Sequence, residues 1–251
     1  MDGLLIDTEP TWRAATFSVL AALGVRLSDD DLLSTTGQPI YDLVPLWRRQ
    51  AGPEGHGAGP EDHRVGPEDH RVGPGGRRVG PGGRRAQPSD AEVADLITDQ
   101  VVAHVITEGL PMPGVAEAVE LCTGLGLNLA IASSSPRRLI DAVCDRLGLG
   151  GIRVRCSAVD EVNGKPAPDV YLAAARRLGV APANCVAIED SPNGIAAAKA
   201  AGMRCVAVPD PLLHTDAGYQ QADLVLPSLA MLDEPALRLL GVRAYEPRRV
   251  P

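Results

Sequence analysis

Four short stretches carry residue types that could do chemistry. Glu189 and Asp190 are adjacent carboxylates directly after the apolar run Cys185–Ile188. Such a pair suits Mg²⁺, which prefers a few carboxylates completed by water and phosphate oxygens. An acid or the following Ser191 could equally cap the next helix. Ser133-Ser134-Ser135-Pro136 follows the apolar run Leu127–Ala132. Hydroxyls and free backbone N–H groups at a helix start suit a phosphate, although Ser before Pro is also an ordinary helix start. Asn163-Gly164-Lys165-Pro166-Ala167-Pro168-Asp169 is a loop stiffened by prolines around one lysine. That lysine could balance phosphoryl charge or simply sit on the surface. Asp2-Gly3, ahead of Leu4-Leu5-Ile6, reads on its own as a turn.

The elements around these stretches explain why they could meet. From Pro113 onward, helical patterns alternate with short apolar runs. Strands are predicted at 127–132, 152–156, 185–188, 205–208 and 224–226. Helices are predicted around Val115–Cys122, Leu139–Leu147, 168–178, 192–201 and 229–240. This alternation predicts an α/β fold with a parallel sheet covered on both faces, where ligands gather at the carboxyl ends of the strands. The serines and the acid pair each follow a strand at that end, and the lysine lies beyond another.

The first half reads differently. Residues 9–50 look helical, with Gly24 closing one helix and a second over Pro39–Arg49. Ala91–Thr107 forms another, from Val93, Leu96, Ile97, Val101 and Val105. Residues 52–86 are five copies of a seven-residue unit beginning Gly-Pro. One small apolar residue per unit cannot offset the entropy of ordering seven, so a disordered insertion is expected over 51–90.

Composition excludes several function classes. Lys and Arg number 24 against 32 Asp and Glu, a formal charge of −8, so no basic footprint for nucleic acid exists. No apolar run approaches the ~18–20 residues that span a bilayer, and the first residues carry no secretory pattern. The five cysteines form no CxxC pair, which fits reduced core thiols in a cytoplasmic protein without a zinc site.

Taken in order, Asp2-Gly3-Leu-Leu-Ile-Asp-Thr-Glu-Pro-Thr-Trp12, Ser133, Lys165-Pro-Ala-Pro-Asp169 and Glu189-Asp190-Ser-Pro-Asn-Gly-Ile195 resemble the haloacid dehalogenase superfamily. They are most similar to its β-phosphoglucomutase-like branch, which includes sugar-phosphate and hexitol-phosphate phosphatases. The resemblance covers nearly the whole chain outside 51–90. It implies a Rossmann-like core, residues 1–8 and 111–251, and an inserted α-helical cap, residues 9–110. It also implies phosphoryl transfer through an aspartyl-phosphate. Asp2 would be the general acid and base, with its backbone carbonyl touching the metal. Ser133, Ser134 and Lys165 would hold the phosphoryl oxygens, and Glu189 and Asp190 the Mg²⁺. Thr8, Trp12, Thr36 and Gly37 would line the substrate pocket, Trp12 with packing as its other reading.

The family motif is Asp-x-Asp-Gly, and here Met1 fills the x position. The nucleophile is therefore expected one residue ahead of Met1, preceded by an apolar strand of ~5–6 residues. The recorded chain is accordingly expected to lack the first core strand and to be inactive. The family's mutase uses a cap His, aligned here with Trp12, and a cap Arg. Thr36-Gly37-Gln38-Pro39 has no Arg in the residues just after it. A bisphosphate intermediate would leave its distal phosphate unpaired. Hydrolysis of a small sugar or polyol phosphate by a monomer is thus expected, with a mutase or a non-catalytic binding protein as the alternatives.

Overall fold

In the computed structural model the described residues are 1–35, 37–50, 87–209 and 216–242. Four helices come first: α1 (Glu9–Ala22), α2 (Asp29–Leu33), α3 (Ile40–Gln50) and α4 (Asp90–Glu108). The α/β part follows as α5 (Val115–Gly124), β1 (Ala130–Ser133), α6 (Arg137–Arg146), β2 (Val154–Ser157), α7 (Asp169–Leu178), β3 (Val186–Glu189), α8 (Pro192–Ala200), β4 (Arg204–Ala207), β5 (Leu224–Val225) and α9 (Glu234–Leu239).

Local chemistry explains several boundaries. Gly24, at φ +78°, takes the left-handed conformation that ends α1, a geometry glycine reaches without steric cost. Ser28 and Ser89 each open a helix with a reciprocal cap, their hydroxyls accepting from Asp31 N and Glu92 N while those carboxylates accept from the serine N–H. Ser89 shortens the expected insertion. Its cap starts α4 at Asp90, and Arg48 Nη1 donates to Pro88 O at 2.9 Å and pairs with Asp90 Oδ1 at 2.5 Å. Residues 87–90 are thus packed against α3, whereas the rest of the expected insertion, 51–86, lies outside the described residues. The helix expected over 229–240 is broken into a turn, Leu229–Met231, and α9, because the Asp233 side chain accepts from Ala236 N and starts a new helix.

Every strand pair is parallel, as expected. β1 pairs with β2, with Ala130 opposite Val154 and Ser133 opposite Ser157. β3 pairs with β4, with Val186 opposite Arg204 and Glu189 opposite Ala207, and β5 follows β4. Burial alternates with period two. Ala187, Cys205 and Ala207 pack with Val170, Ala174 and Ile195 of α7 and α8, whereas Val206, Val186 and Ile188 pack with Val115, Ala118 and Cys122 of α5. Both faces are therefore covered. A third cluster joins α1, α3 and α4 (Leu20, Val44, Trp47, Ile97, Val101) to Ile131, Leu139, Ile140 and Val143 of β1 and α6. The N-terminal helices thus share one apolar core with the sheet's own helix.

The sheet is interrupted. Among the described residues β1–β2 and β3–β4–β5 are separate sheets. Between their facing edges lies a cavity of about 650 Å³, lined by Ala130, Ile131 and Ala132 on one side and Val186, Ala187 and Ile188 on the other. Interior parallel strands normally have a neighbour on each edge, and here these two edges face a cavity instead.

Candidate active site

Ser133 ends β1 and Glu189 ends β3, so both lie at carboxyl ends of parallel strands. They line one cavity of about 510 Å³ together with Asp2, Trp12, Lys165 and Asp190. Sequence reasoning therefore brings its principal residues to one place, although they are separated by up to most of the chain.

Lys165 is not a surface lysine. It is buried, and its Nζ pairs with Glu189 Oε1 at 2.5 Å, donates to Ala132 O at 3.3 Å and lies 5.1 Å from the centre of the Tyr171 ring. The Tyr171 hydroxyl donates to the same Glu189 oxygen. Burial works against a charged Glu189, but the Lys165 ammonium, the α-amino group of Met1 and the Lys165 and Tyr171 hydrogen bonds together outweigh it and hold the carboxyl below its usual range. Burial, with the Glu189 charge beside it, pushes Tyr171 well above its ordinary value. Asp190 is pushed up to about 7, again chiefly by burial, with the Glu189 charge adding to it.

Gly194 explains how Glu189 fits under α8. A Cβ at that position would lie 2.0 Å from Glu189 Oε2, so only glycine leaves room for the carboxylate. Ser191 caps α8, its Oγ accepting from Gly194 N at 3.1 Å, so the capping reading of this segment and its placement in the cavity both hold.

Asp2 is held by three donors. Its Oδ1 accepts from Thr8 Oγ1 at 2.6 Å and Trp12 Nε1 at 3.1 Å, and its Oδ2 accepts from Ser135 Oγ at 2.6 Å. Ser135 was missed from sequence, where it stood only as the third of a serine run. Its N–H donates to Ser133 Oγ at 3.1 Å, and its carbonyl accepts from Ser157 Oγ at 2.7 Å. Tyr171 was missed too, because nothing in the spacing linked it to Glu189.

Two expected roles change. Thr8 is fully buried and its hydroxyl donates to Asp2, so it braces the site from behind and is not a cavity-lining substrate contact. Ser134 lines the cavity, but its hydroxyl donates to Gly37 O at 2.6 Å, tying β1's loop to the segment before α3, so it is not available as a phosphate donor in this arrangement. Among the described residues no three His, Cys, Asp or Glu side chains stand together as a ready metal cage. Gly37 and Trp12 line the cavity as expected. Thr36 lies outside the described residues.

The donor chemistry nevertheless fits a hard divalent cation. Two adjacent carboxylates, both buried, face a cavity large enough for water and phosphate oxygens, the completion Mg²⁺ prefers.

Carboxylates, a hydroxyl and one buried lysine at the carboxyl ends of parallel strands define an α/β enzyme handling an anionic substrate. The chain belongs to the haloacid dehalogenase-like hydrolases, whose family model matches residues 1–202. By that membership it is a phosphoric monoester hydrolase. It is similar to hexitol phosphatase B of Escherichia coli (strain K12), with 36% identity over 243 residues, 96% of this chain and 94% of the relative. Among solved structures it is similar to CbbY from Rhodobacter sphaeroides in complex with phosphate, at TM-score 0.73 and 27% identity, covering 96% of each chain. A mutant CbbY from the same organism, in complex with xylulose-(1,5)bisphosphate, matches at TM-score 0.71 and 26% identity, covering 92% of this chain and 93% of that one.

Proposed function

We propose that this site belongs to a Mg²⁺-dependent phosphatase for small sugar or polyol phosphates, with α1–α4 serving as a cap over the α/β core. The observation that carries the reading is the convergence of Asp2, Ser133, Lys165 and the Glu189–Asp190 pair on one cavity. The relatives, a hexitol phosphatase and a phosphate-bound CbbY, support the substrate class.

In this reading Ser133 and Lys165 bind the phosphoryl oxygens, and Asp190, with Glu189, holds the Mg²⁺. The bound ion neutralises developing phosphoryl charge. Asp2 handles the proton. Its three donors fix the carboxylate's position, so it protonates the leaving alcohol oxygen and later takes a proton from the attacking water. The attacking group is a carboxylate two positions ahead of Asp2. It bonds to phosphorus as the ester P–O bond breaks, and water then cleaves the aspartyl-phosphate. Transfer to a second sugar, the mutase outcome, is disfavoured because Arg13, the guanidinium lining the cavity, is paired with Asp29 at 3.0 Å.

The test compares the 251-residue chain with a version carrying an added apolar strand of ~5–6 residues ending in Asp directly before Met1. Phosphate release from a sugar phosphate is expected from the extended version in Mg²⁺ and from neither protein without it. Equal release by the unextended chain would refute the assignment of the nucleophile. Binding without release by the extended protein would favour a non-catalytic sugar-phosphate-binding protein.

A further inference from the structure

The segment Gly37-Gln38-Pro39, between α2 and α3, is clamped onto the loops that build the strand end of the cavity. Ser134 Oγ, in the loop after β1, donates to Gly37 O at 2.6 Å. Gly37 has φ +84°, and a Cβ there would lie 2.7 Å from Ser191 Oγ, just after β3. Pro39 is buried, and a Cβ on Gly164 would come within 2.6 Å of its ring. Both approaches need the missing Cβ of glycine. The three clamping residues are the chain neighbours of Ser133, Lys165 and Asp190, the groups assigned above to the phosphoryl oxygens and the metal. The backbone on either side of Gln38 is thus fixed beside the phosphoryl position.

The Gln38 main chain is satisfied, its N–H donating to Thr35 O at 3.1 Å. The side chain is not. It is half-buried and lines the cavity, and its carboxamide has no hydrogen-bond partner among the described residues. Nearby hydroxyls differ, since Thr35 Oγ1 donates to Asp31 O and Leu32 O and Ser134 Oγ to Gly37 O. A carboxamide both donates and accepts, so it complements a hydroxyl in either sense and can also donate to an ether oxygen. Thr16, Asp7 and Glu9 line the same cavity and can meet substrate hydroxyls too. They approach from α1 and the turn before it, whereas Gln38 rides on the loops around the phosphoryl position.

Resting on the phosphatase reading above, we infer that Gln38 is a specificity-determining residue that hydrogen-bonds the oxygen on the carbon next to the phosphorylated one. In a polyol phosphate that oxygen is a hydroxyl, and in a hexose 6-phosphate pyranose it is the ring oxygen. An ester lacking it turns a methylene group toward the carboxamide, which then gains no partner on binding. A site built to pair with a substrate oxygen discriminates against the analogue without it. Hydroxyls farther along the substrate fall to the other lining residues.

The sequence has two tryptophans, Trp12 and Trp47, and both line this cavity. Intrinsic fluorescence, supported by calorimetry, therefore reads equilibrium binding. The 251-residue chain in Mg²⁺ is titrated with inorganic phosphate, glycerol 3-phosphate and 3-hydroxypropyl phosphate, which lacks only the middle hydroxyl. Glycerol 3-phosphate is expected to bind about fivefold tighter or more, ~1 kcal/mol. Propane-1,2-diol 1-phosphate, which keeps that hydroxyl and loses the terminal one, should bind within about twofold of glycerol 3-phosphate, ~0.4 kcal/mol. Gln38→Leu and Gln38→Ala are each expected to bring the glycerol to hydroxypropyl ratio below about twofold by the same conversion and to leave inorganic phosphate within about twofold of wild type. If inorganic phosphate binds but the wild-type ratio is smaller, survives in either variant, or follows the terminal hydroxyl, the inference falls and the phosphate site stands. Loss of inorganic phosphate binding in both variants also overturns it, because Gln38 would then serve the phosphoryl group or the scaffold. If the wild-type chain binds no probe, inorganic phosphate included, the phosphatase reading itself falls.

Discussion

Lys165→Met tests whether the buried ion pair organises the site. Lys165 Nζ and Glu189 Oε1 are 2.5 Å apart, with side chains 5% and 4% exposed. Removing the ammonium leaves the Glu189 carboxylate buried with the Tyr171 hydroxyl as its remaining described donor. Stranding one partner of a buried pair costs about 3–5 kcal/mol. Glu189→Gln strands Lys165 against the Ala132 carbonyl at 3.3 Å and is expected to cost a similar amount. The double variant removes both charges while Gln still accepts from Tyr171, so it should cost less than either single change. Urea unfolding measures all three. With a slope of about 1–3 kcal/mol per molar, each single variant lowers the midpoint by about 1 M or more. Each variant is measured without Mg²⁺, so that a bound ion does not mask the stranded charge. Singles that cost under about 1 kcal/mol, or a double equal to their sum, would refute the claim that these charges balance one another.

Gly194→Ala is expected to lose about 1–3 kcal/mol by overpacking, despite the ~1 kcal/mol that alanine adds to a helix, because its Cβ would sit 2.0 Å from Glu189 Oε2. An unchanged or raised urea midpoint would show that Glu189 can swing aside. Asp95 on α4 accepts from Tyr41 on α3 and pairs with Arg138 on α6 at 2.7 Å, and the Tyr41 hydrogen bond is the main cause of its lowered pKa. A lowered folded pKa means its stabilisation is present above the unfolded value near ~3.9 and is lost as pH falls through the folded value. Because the carboxylate is half exposed, the wild-type advantage over Asp95→Asn should be under about 1 kcal/mol at neutral pH and shrink in acid. An advantage that grows on acidification would contradict the assignment.

How much of this was legible beforehand depends on the range of the interaction. Apolar runs located all five strands because they report burial on both faces, which is local. β1 begins three residues later than expected, at Ala130, whereas Ser133, Ser157 and Glu189 extend β1, β2 and β3 one residue past the apolar run. These are the polar residues that carry the site, so the pattern stops where function starts. The reciprocal caps at Ser28 and Ser89 are equally local and need only a spacing of three. By contrast, nothing in the sequence reveals that Ser135 reaches Asp2 across 133 positions, or that Tyr171 shares an oxygen of Glu189 with Lys165. Those contacts follow from β1 and β3 lying beside the N-terminal turn, which is a property of the assembled sheet.

The same distinction explains the expectations that changed. Ser134 was read from its type and Thr8 from the family resemblance, and both show only what a group could bind. The fold decides what it does bind. Each of the two hydroxyls has a protein partner at 2.6 Å. A hydroxyl so engaged would have to break that bond to serve a ligand, at a net cost of about 0.5–1.5 kcal/mol. Ser133 differs, because its Oγ accepts from Ser135 N and its proton remains to be donated into the cavity. Lys165 likewise has three donors, with Glu189 and Ala132 engaging two of them. Ser133 and Lys165 therefore each retain a donor toward the cavity, as does Ser191, whose Oγ likewise accepts from Gly194 N. There, rather than at Thr8 or Ser134, an anionic ester can be held without dismantling the scaffold that positions Asp2.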